Sequence, residues 1–339
     1  MKTGLFTTLL MVLAALYSLS SLAAESTLSV SVQIHDEAFT QQWGQLKEAR
    51  ILGRGYQWTE GPLWDEKTQT LYFNDVAASK LYSWQQKSGV TEVLSPSGVA
   101  RGTEGIADSG IGGLHRYKHG TFVATVAGRR AVEVLTPGSW ERRTLVDEVD
   151  GQRLNSPNDI VVSRSGGVLF TDPPYGLKER DQSSLKEMAV NGVWHWRPGQ
   201  AVRLIDDSLT RPNGIALSND EQTLYVSVSD PENAVVMRYQ RNAQGEFESG
   251  QPWFDMSGWV SGPQWNGAPD GMKVSSQDWL FATGPGGVFI ISSQGQLMAR
   301  VGLDRFAANV ALDEANHRLF LTNWDRVLML TFSGRVTKE

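Results

Sequence analysis

The sequence predicts an all-β protein, a six-bladed β-propeller, from a repeated pattern, its spacing and its number of copies. The pattern is a polar turn, an apolar strand, a tight turn and a second apolar strand, and it is clearest in RLNSPNDIVVSRSGGVLFTDPPYG at residues 153–176. Its six copies are separated by 52, 46, 55, 57 and 39 residues, a spacing typical of propeller blades. One blade cannot bury its own faces, so six copies predict a closed ring. The copies begin at Glu60, Gly112, Asn158, Asn213, Asp270 and Asn309.

Each element of the clearest copy has a local cause. Pro157 has a fixed φ angle, and Asn158 and Asp159 can bond to nearby backbone groups, so this stretch is expected to turn. Residues 160–162 and 168–170 are apolar and predict two strands joined by a Gly-Gly hairpin turn. A side chain on the polar turn would be held firmly by the following strand while facing solvent, which suits a functional group.

The segments outside the repeats predict the ends and the openings of the ring. Residues 25–49 are predicted to form an N-terminal arm, helical around 39–46, and residues 50–333 to form the propeller. Residues 50–52 are expected to supply the strand that closes the ring. Residues 95–113, rich in Gly and Ser, predict a loop over one mouth of the ring, and the polar insertion 178–187 predicts a short helix or a lid.

Residues 1–24 have the pattern of a secretory signal peptide. Lys2 precedes an apolar run at 9–16, and small residues at 20–24 suit cleavage after Ala23 or Ala24. The apolar run is shorter than the ~20 residues that span a bilayer, and no later segment is long enough. The sequence therefore predicts an exported protein, periplasmic or secreted, with no stable membrane insertion after cleavage.

The composition excludes several classes of partner and linkage. The 339 residues include no Cys, so we expect neither a disulfide nor attachment of a lipid through Cys. The formal net charge is -6, and no basic stripe is present to meet phosphates. Nucleic acid is therefore not an expected partner.

The first residues of the repeats predict a metal site. Equivalent positions of blades around one axis converge on one mouth of the channel, and these positions carry two carboxylates and three carboxamides: Glu60, Asp270, Asn158, Asn213 and Asn309. Hard cations such as Ca²⁺ prefer such oxygen ligands. Pro-Asn-Gly and Pro-Asp-Gly are also ordinary turn sequences, but their shared register in the repeats favours a site over turn chemistry alone.

Five motifs closely resemble the SMP-30/gluconolactonase (regucalcin-like) family, and its bacterial gluconolactonases above all. They are GYQWTEGPLWD at 55–65, RLNSPNDIVV at 153–162, FTDPPYGL at 170–177, RPNGIALS at 211–218 and PDGMKV at 269–274. The resemblance covers residues 50–333. It implies a six-bladed propeller with one divalent cation at the channel mouth, usually Ca²⁺, with Mg²⁺, Mn²⁺ or Zn²⁺ as alternatives.

The resemblance also implies roles for individual residues. Glu60, Asn213 and Asp270 would bind the metal, and Asn158 would bind the metal or the substrate. Asp270 would in addition act as general base or nucleophile. From its position Arg153 could reach a hydroxyl or carboxylate of the substrate, although an Arg before a turn is usually solvated, and we expect Asn309 to contact substrate as well.

Together these expectations predict an exported, metal-dependent hydrolase that opens a sugar lactone or a similar small cyclic ester. A broader esterase or phosphotriesterase at the same metal, and a propeller that binds a ligand without turnover, are the alternatives. Two departures from the family leave the lactone open. Residues 124–130 read ATVAGRR where gluconolactonases carry an acidic-His-Gly motif, and residues 95–113 differ from the usual form. Lys273 stands where some relatives have an acidic ligand of a second calcium, so no second site is predicted by that route.

Overall fold

The computed structural model describes residues 28–260 and 267–335, and the predicted signal peptide at 1–24 lies outside the described residues. In this part of the chain, six antiparallel sheets of four or five strands form the blades of a propeller, together with one two-stranded hairpin. The predicted fold class is confirmed, because every copy of the repeat forms one blade.

The first strand of each blade lies innermost, next to the channel. Blades one to three are formed by these strands: β3 (Thr59–Asp65), β4 (Thr70–Asp75), β5 (Lys80–Gln85) and β6 (Gly89–Leu94); β7 (Ile111–Arg116), β8 (Phe122–Val126), β9 (Ala131–Leu135) and β10 (Arg142–Val146); β13 (Ile160–Val162), β14 (Val168–Asp172), β15 (Gly192–Trp196) and β16 (Arg203–Asp206). The hairpin between blades two and three is β11 (Glu148–Val149) and β12 (Gln152–Arg153).

Blades four to six follow the same plan, and two of them recruit strands from the amino-terminal segment. Their strands are β17 (Pro212–Leu217), β18 (Thr223–Asp230), β19 (Asn233–Gln240) and β20 (Gln251–Asp255); β21 (Met272–Val274), β22 (Leu280–Gly284), β23 (Gly287–Ile291), β24 (Leu297–Leu303) and β1 (Val30–Ile34); β25 (Asn309–Asp313), β26 (Arg318–Asn323), β27 (Arg326–Phe332) and β2 (Leu46–Arg54). The helices are α1 (Glu37–Trp43) and five single 3₁₀ turns, at Lys118–Gly120, Ala127–Arg129, Arg180–Gln182, Ser257–Trp259 and Glu314–Asn316.

The amino-terminal segment closes the ring. The strand predicted at 50–52 runs from Leu46 to Arg54 and pairs antiparallel with β27, so the predicted domain boundary at residue 50 falls inside this strand. Ahead of it, β1 adds a fifth strand to blade five. Helix α1 begins after Asp36, whose carboxylate accepts a hydrogen bond from the Ala38 N–H at 2.8 Å, a common N-cap contact. None of the described helices is both long enough and apolar enough to cross a lipid bilayer.

Apolar clusters fill the spaces between neighbouring blades and explain the uninterrupted apolar strands. Successive side chains of a strand point to opposite faces of its sheet. In β14, Val168 and Phe170 pack toward blade two, whereas Leu169 packs toward blade four. In β3, Leu63 packs toward blade two and Trp64 toward blade six. Because both faces of a blade are buried, the strands lack the apolar-polar alternation of a half-exposed sheet.

The innermost strands differ in one respect from the sequence prediction. The first residues of the repeats were expected on turns ahead of strands, but Glu60 lies within β3, Asn213 within β17 and Asn309 at the start of β25. In β3 and β17 the pairing register shifts just after these residues, between Glu60 and Leu63 and between Pro212 and Ile215. A shift of this kind re-aims side chains without ending the strand.

The glycines in these motifs serve close packing around the channel. A Cβ atom on Gly214 would lie 2.2 Å from the carbonyl oxygen of Asp270, and one on Gly271 would lie 1.9 Å from Cγ of Asn309. Any larger residue would force the inner strands of neighbouring blades apart. The Pro-Asn-Gly and Pro-Asp-Gly motifs therefore place each polar residue against the next blade.

Hydroxyl groups on the second strands connect successive blades near the channel. Four of them donate a hydrogen bond to a carbonyl at the start of the following blade: Thr125 to Asn158 at 2.5 Å, Thr171 to Asn213 at 2.6 Å, Ser227 to Asp270 at 2.8 Å and Thr283 to Ala308 at 2.9 Å. Three of the four acceptors belong to predicted site residues, so these bonds hold the site residues in place.

We expect Thr171→Val to destabilise the protein by about 1–3 kcal/mol, because the buried carbonyl of Asn213 would lose its donor while side-chain shape is conserved. The free energy of unfolding measured by urea titration tests this. Thr91→Val, at an exposed position of the outer strand β6, is the matched control and should change stability by less than about 0.5 kcal/mol. Equal losses in the two variants would contradict the role of Thr171.

Candidate active site

Four of the predicted site residues line one cavity at the centre of the ring. The cavity has a volume of about 780 Å³, and its wall includes Glu60, Asn158, Asn213 and Asp270. These residues come from blades one, three, four and five, so the ring brings together positions more than 200 residues apart. They are oxygen donors that the sequence analysis predicts at equivalent positions of the repeats.

Glu60 is a buried carboxylate, only 8 % exposed. The Gly61 N–H donates to its Oε2 at 3.1 Å, and the indole of Trp58 and the carboxamide of Asn309 are its other neighbours with hydrogen-bond donors. Burial, followed by repulsion from the Asp159 carboxylate, raises the pKa of Glu60 to about 8, although the three donors act in the opposite direction. Without a positive charge nearby, this carboxyl prefers its neutral form.

Asp270 lies in a similar environment and is 5 % exposed. Its backbone is fixed on both sides, since its N–H donates to the Thr283 carbonyl at 3.1 Å and its carbonyl accepts from the Ser227 hydroxyl. Burial raises the pKa of Asp270 well above its ordinary value, and the charges of Glu60 and Asp159 raise it further. The two carboxyl groups of the cavity thus disfavour each other's ionised form.

The two carboxamides are held so that each can present oxygen to the cavity. Asn213 donates from Nδ2 to the Ser229 hydroxyl at 2.8 Å, and its Oδ1 is buried without a hydrogen-bond partner among the described residues. Asn158 is positioned through its backbone N–H, which donates to the Thr171 carbonyl at 2.9 Å. Burying an acceptor such as Asn213 Oδ1 destabilises the fold unless a ligand donates a hydrogen bond to this oxygen or is coordinated by it.

This donor set fits a hard divalent cation. It consists of two carboxylates that repel each other, an unpartnered amide oxygen and a second amide, with no sulfur or imidazole ligand. Within residues 28–260 and 267–335, no three His, Cys, Asp or Glu side chains form a group that could bind a metal by themselves. The carboxamides would therefore have to contribute ligands, which is usual for Ca²⁺ and unusual for Zn²⁺.

The other two predicted site residues do not line the cavity. Asn309 is buried beside it, where its Nδ2 lies 3.5 Å from Glu60 Oε2 and its Oδ1 accepts from the Val310 N–H at 2.9 Å. Arg153 is exposed on β12, and its guanidinium donates to the Arg129 carbonyl at 2.8 Å. In this structure Asn309 orients Glu60, and Arg153 belongs to the hairpin beside blade three.

Two buried aspartates support the site and were not singled out from the sequence. Asp159 accepts from the Ile160 N–H at 2.8 Å and contributes negative charge beneath Glu60 and Asp270. Asp172 accepts from the backbone N–H groups of Asn155 and Ser156 at 2.7 and 2.9 Å, which fixes the loop that carries Asn158. The available signal was that Asp159 lies in the same motif as Asn158 and Asp172 in the motif that follows it, but only the structure shows which backbone groups they bind.

The segment that departs from the family motif has a structural role. In this segment, residues 124–130, Ala127 lines the cavity with its methyl group. Arg129 and Arg130 do not line the cavity and contact neighbouring residues instead. Arg129 forms an ion pair with Glu133 at 2.6 Å, and Arg130 donates from Nε to the Leu154 carbonyl at 2.7 Å. This part of the wall therefore offers no charged group to a substrate.

Comparisons with known proteins agree with the architecture and the motifs. The family described as "SMP-30/Gluconolactonase/LRE-like region" matches residues 58–324. A gluconolactonase from Zymomonas mobilis subsp. mobilis is 35% identical over 296 residues, which are 83% of this chain and 81% of the relative. A solved structure of a gluconolactonase from Xanthomonas campestris has a TM-score of 0.77 at 28% identity and covers 90% of this chain and 95% of that chain.

A calcium-binding regucalcin structure from Agrobacterium tumefaciens has a TM-score of 0.63 at 16% identity and covers 86% of this chain and 96% of that chain, which shows a shared fold alone. The family model spans most of the chain, and the Zymomonas relative exceeds 30% identity over four fifths of both proteins. The expected resemblance is confirmed: the chain belongs to the SMP-30/gluconolactonase/LRE-like family.

Proposed function

We propose that this protein is a divalent-metal-dependent lactonase that hydrolyses a sugar lactone or a similar small cyclic ester. One observation carries the proposal: Glu60, Asn158, Asn213 and Asp270 line a single cavity with two repelling carboxyls and an unpartnered amide oxygen. The 35% identity to a gluconolactonase supports lactones as the substrate class.

Glu60, Asn158, Asn213 and Asp270 would hold the cation. Their oxygens favour Ca²⁺, with Mg²⁺, Mn²⁺ or Zn²⁺ as alternatives. When bound, a divalent cation supplies positive charge that polarises the lactone carbonyl and stabilises the negative charge that develops on its oxygen.

Asp270 is the residue we assign to proton transfer. Its carboxylate accepts a proton from water as the water oxygen adds to the carbonyl carbon, and burial strengthens it as a base. The ring C–O bond then breaks, and the ring oxygen takes up the proton held by Asp270 to become a hydroxyl of the product hydroxy acid, which returns Asp270 to its carboxylate form. Trp58 and Phe306 also line the cavity and contribute aromatic surface to its wall.

We expect the wild-type protein, stripped with a chelator, to regain bound Ca²⁺ and a higher unfolding temperature on titration, because a ligand of the native state stabilises it. Asn213→Ala should weaken the affinity by about 10- to 100-fold, since the unpartnered Oδ1 is removed. Isothermal titration calorimetry measures the Ca²⁺ affinity of both proteins, and a thermal unfolding scan with and without Ca²⁺ measures the unfolding temperature. Asn233→Ala, at an exposed position of β19, is the control and should bind like wild type; unchanged affinity in Asn213→Ala would argue against the site.

We expect Asp270→Asn to lower kcat for lactone opening by about 10²–10⁴-fold, because the amide cannot accept the proton of water. A pH-stat assay of acid release, corrected for spontaneous opening, measures this rate. Asp207→Asn removes an exposed carboxylate and should retain wild-type activity. Full activity in Asp270→Asn, or in wild type treated with chelator, would remove Asp270 or the cation from the mechanism.

We also propose that the chain is exported and that residues 1–24 are removed. The exported protein should begin at Ala24 or Glu25, which N-terminal sequencing of the periplasmic and extracellular fractions measures. Leu13→Asp would interrupt the apolar run and should leave the protein uncleaved inside the cell. Equal processing of the two proteins would contradict a signal peptide.

A further inference from the structure

The cavity has a second polar wall to which the proposed metal ligands do not contribute. Two segments form it: residues 105–108, between blades one and two, and residues 175–180, within blade three. Five polar or charged side chains from these segments line the cavity: Asp108, Tyr175, Lys178, Glu179 and Arg180. Both segments lie outside the strands of the blades.

The two segments are fastened to each other. Ile106 and Leu177 form an isolated antiparallel bridge, and both side chains are buried. Backbone hydrogen bonds flank the bridge, from Ala107 to Gly176 at 2.8 Å and from Lys178 to Gly105 at 2.9 Å. The wall is therefore preorganised, which lowers the entropic cost of binding a ligand there.

Two charged groups of this wall, those of Asp108 and Arg180, remain open to a ligand. The half-buried carboxylate of Asp108 and the guanidinium of Arg180 make no hydrogen bond or ion pair to another residue in the described part of the chain. Two other charged residues that line the cavity already have partners. Arg211 forms an ion pair with Asp181 at 2.8 Å, and Asp230 accepts a hydrogen bond from the Thr210 hydroxyl at 2.6 Å. A carboxylate withdrawn from water without a partner is destabilising unless a ligand satisfies it.

The neighbouring charges identify the kind of ligand. Burial raises the pKa of Asp108 to about 6, and the positive charge of Arg180 opposes this shift, so the carboxylate is mainly ionised at neutral pH. An isolated Arg180 would suit a phosphate or carboxylate, but Asp108 beside it would repel such an anion. A strong acceptor next to a strong donor instead matches neighbouring hydroxyl groups, each of which donates and accepts.

The wall also reaches the reacting end of the cavity. The Tyr175 hydroxyl is buried beside Ser229 and Asp270, while the Arg180 guanidinium lies 5.9 Å from the centre of the Tyr175 ring. Trp58 and Phe306 add an aromatic surface, with ring centroids 5.4 Å apart. Aromatic faces pack against the C–H groups of a sugar ring, as they do against other apolar surface.

We infer that Asp108 and Arg180 bind the ring hydroxyls of an uncharged, polyhydroxylated lactone and thereby select it over lactones without hydroxyls. The Asp108 carboxylate accepts hydrogen bonds from hydroxyl groups, and the Arg180 guanidinium donates to a hydroxyl oxygen. This inference rests on the proposed lactonase function for its substrate, but the hydroxyl-binding wall can be tested separately.

The test compares Asp108→Asn with Glu104→Gln, which changes an exposed carboxylate in the same loop that does not line the cavity. The substrates are glucono-δ-lactone and δ-valerolactone, which has the same ring size without hydroxyls. We expect Asp108→Asn to raise KM for gluconolactone about 10- to 100-fold, from loss of hydrogen bonds to a charged group. Its kcat/KM for valerolactone should stay within about twofold of wild type, and Glu104→Gln should match wild type on both substrates.

A second measurement does not depend on hydrolysis. Calorimetry measures the binding of anhydroglucitol, a pyranose ring that has the hydroxyls of gluconolactone and no carbonyl. Wild type and Glu104→Gln should bind it, and Asp108→Asn should bind it at least about tenfold more weakly. Circular dichroism and the unfolding temperature establish that the variants are folded.

The outcomes separate the two proposals. If wild type opens neither lactone but binds anhydroglucitol through Asp108, the lactonase proposal fails and the hydroxyl-binding wall stands. If wild type opens gluconolactone and Asp108→Asn has the same KM and the same anhydroglucitol affinity, the wall is overturned and the lactonase proposal stands. Equal loss on gluconolactone and valerolactone, or no binding of anhydroglucitol by wild type, also overturns the wall.

Discussion

Two buried carboxyl groups that repel each other are the constraint on which the centre of this propeller depends. Glu60 and Asp270 are held in one cavity by blades one and five, and Asp159 adds a third negative charge nearby. Burial and repulsion both oppose ionisation, and the positive charge of Lys273, which favours the ionised form of Asp159, does not cancel the effect of burial on that group. A cation bound among these groups would reverse that balance.

The scaffold keeps these groups together through contacts between blades. Glycines after the polar residues let the inner strands approach closely, and hydroxyls on the second strands hold the carbonyls of the next blade. Apolar clusters between all neighbouring blades resist any outward movement. The position of each site residue is therefore a property of two adjacent blades, and a local turn alone would not define it.

The repeats and the irregular segments contribute different parts of the cavity wall. The repeats supply the innermost positions, where Glu60, Asn213 and Asp270 meet. The irregular segments at 105–108 and 175–180 pair with each other through the Ile106–Leu177 bridge and contribute charged groups to the cavity wall. The repeats thus fix the polar centre of the cavity, and the irregular segments fix the side chains of its second wall.

The sequence by itself determined the number of blades, the strand pattern and the set of polar residues at the channel, because each follows from local chemistry repeated in register. It left both Arg153 and Asn309 as candidates for substrate contact, and did not single out the support given by Asp159 and Asp172. Only the tertiary structure decided these points. The contact between Glu60 and Asn309 joins residues 249 apart, and the bridge between Ile106 and Leu177 joins segments with no repeat pattern. Contacts of this kind depend on how the ring closes, which local sequence patterns do not encode.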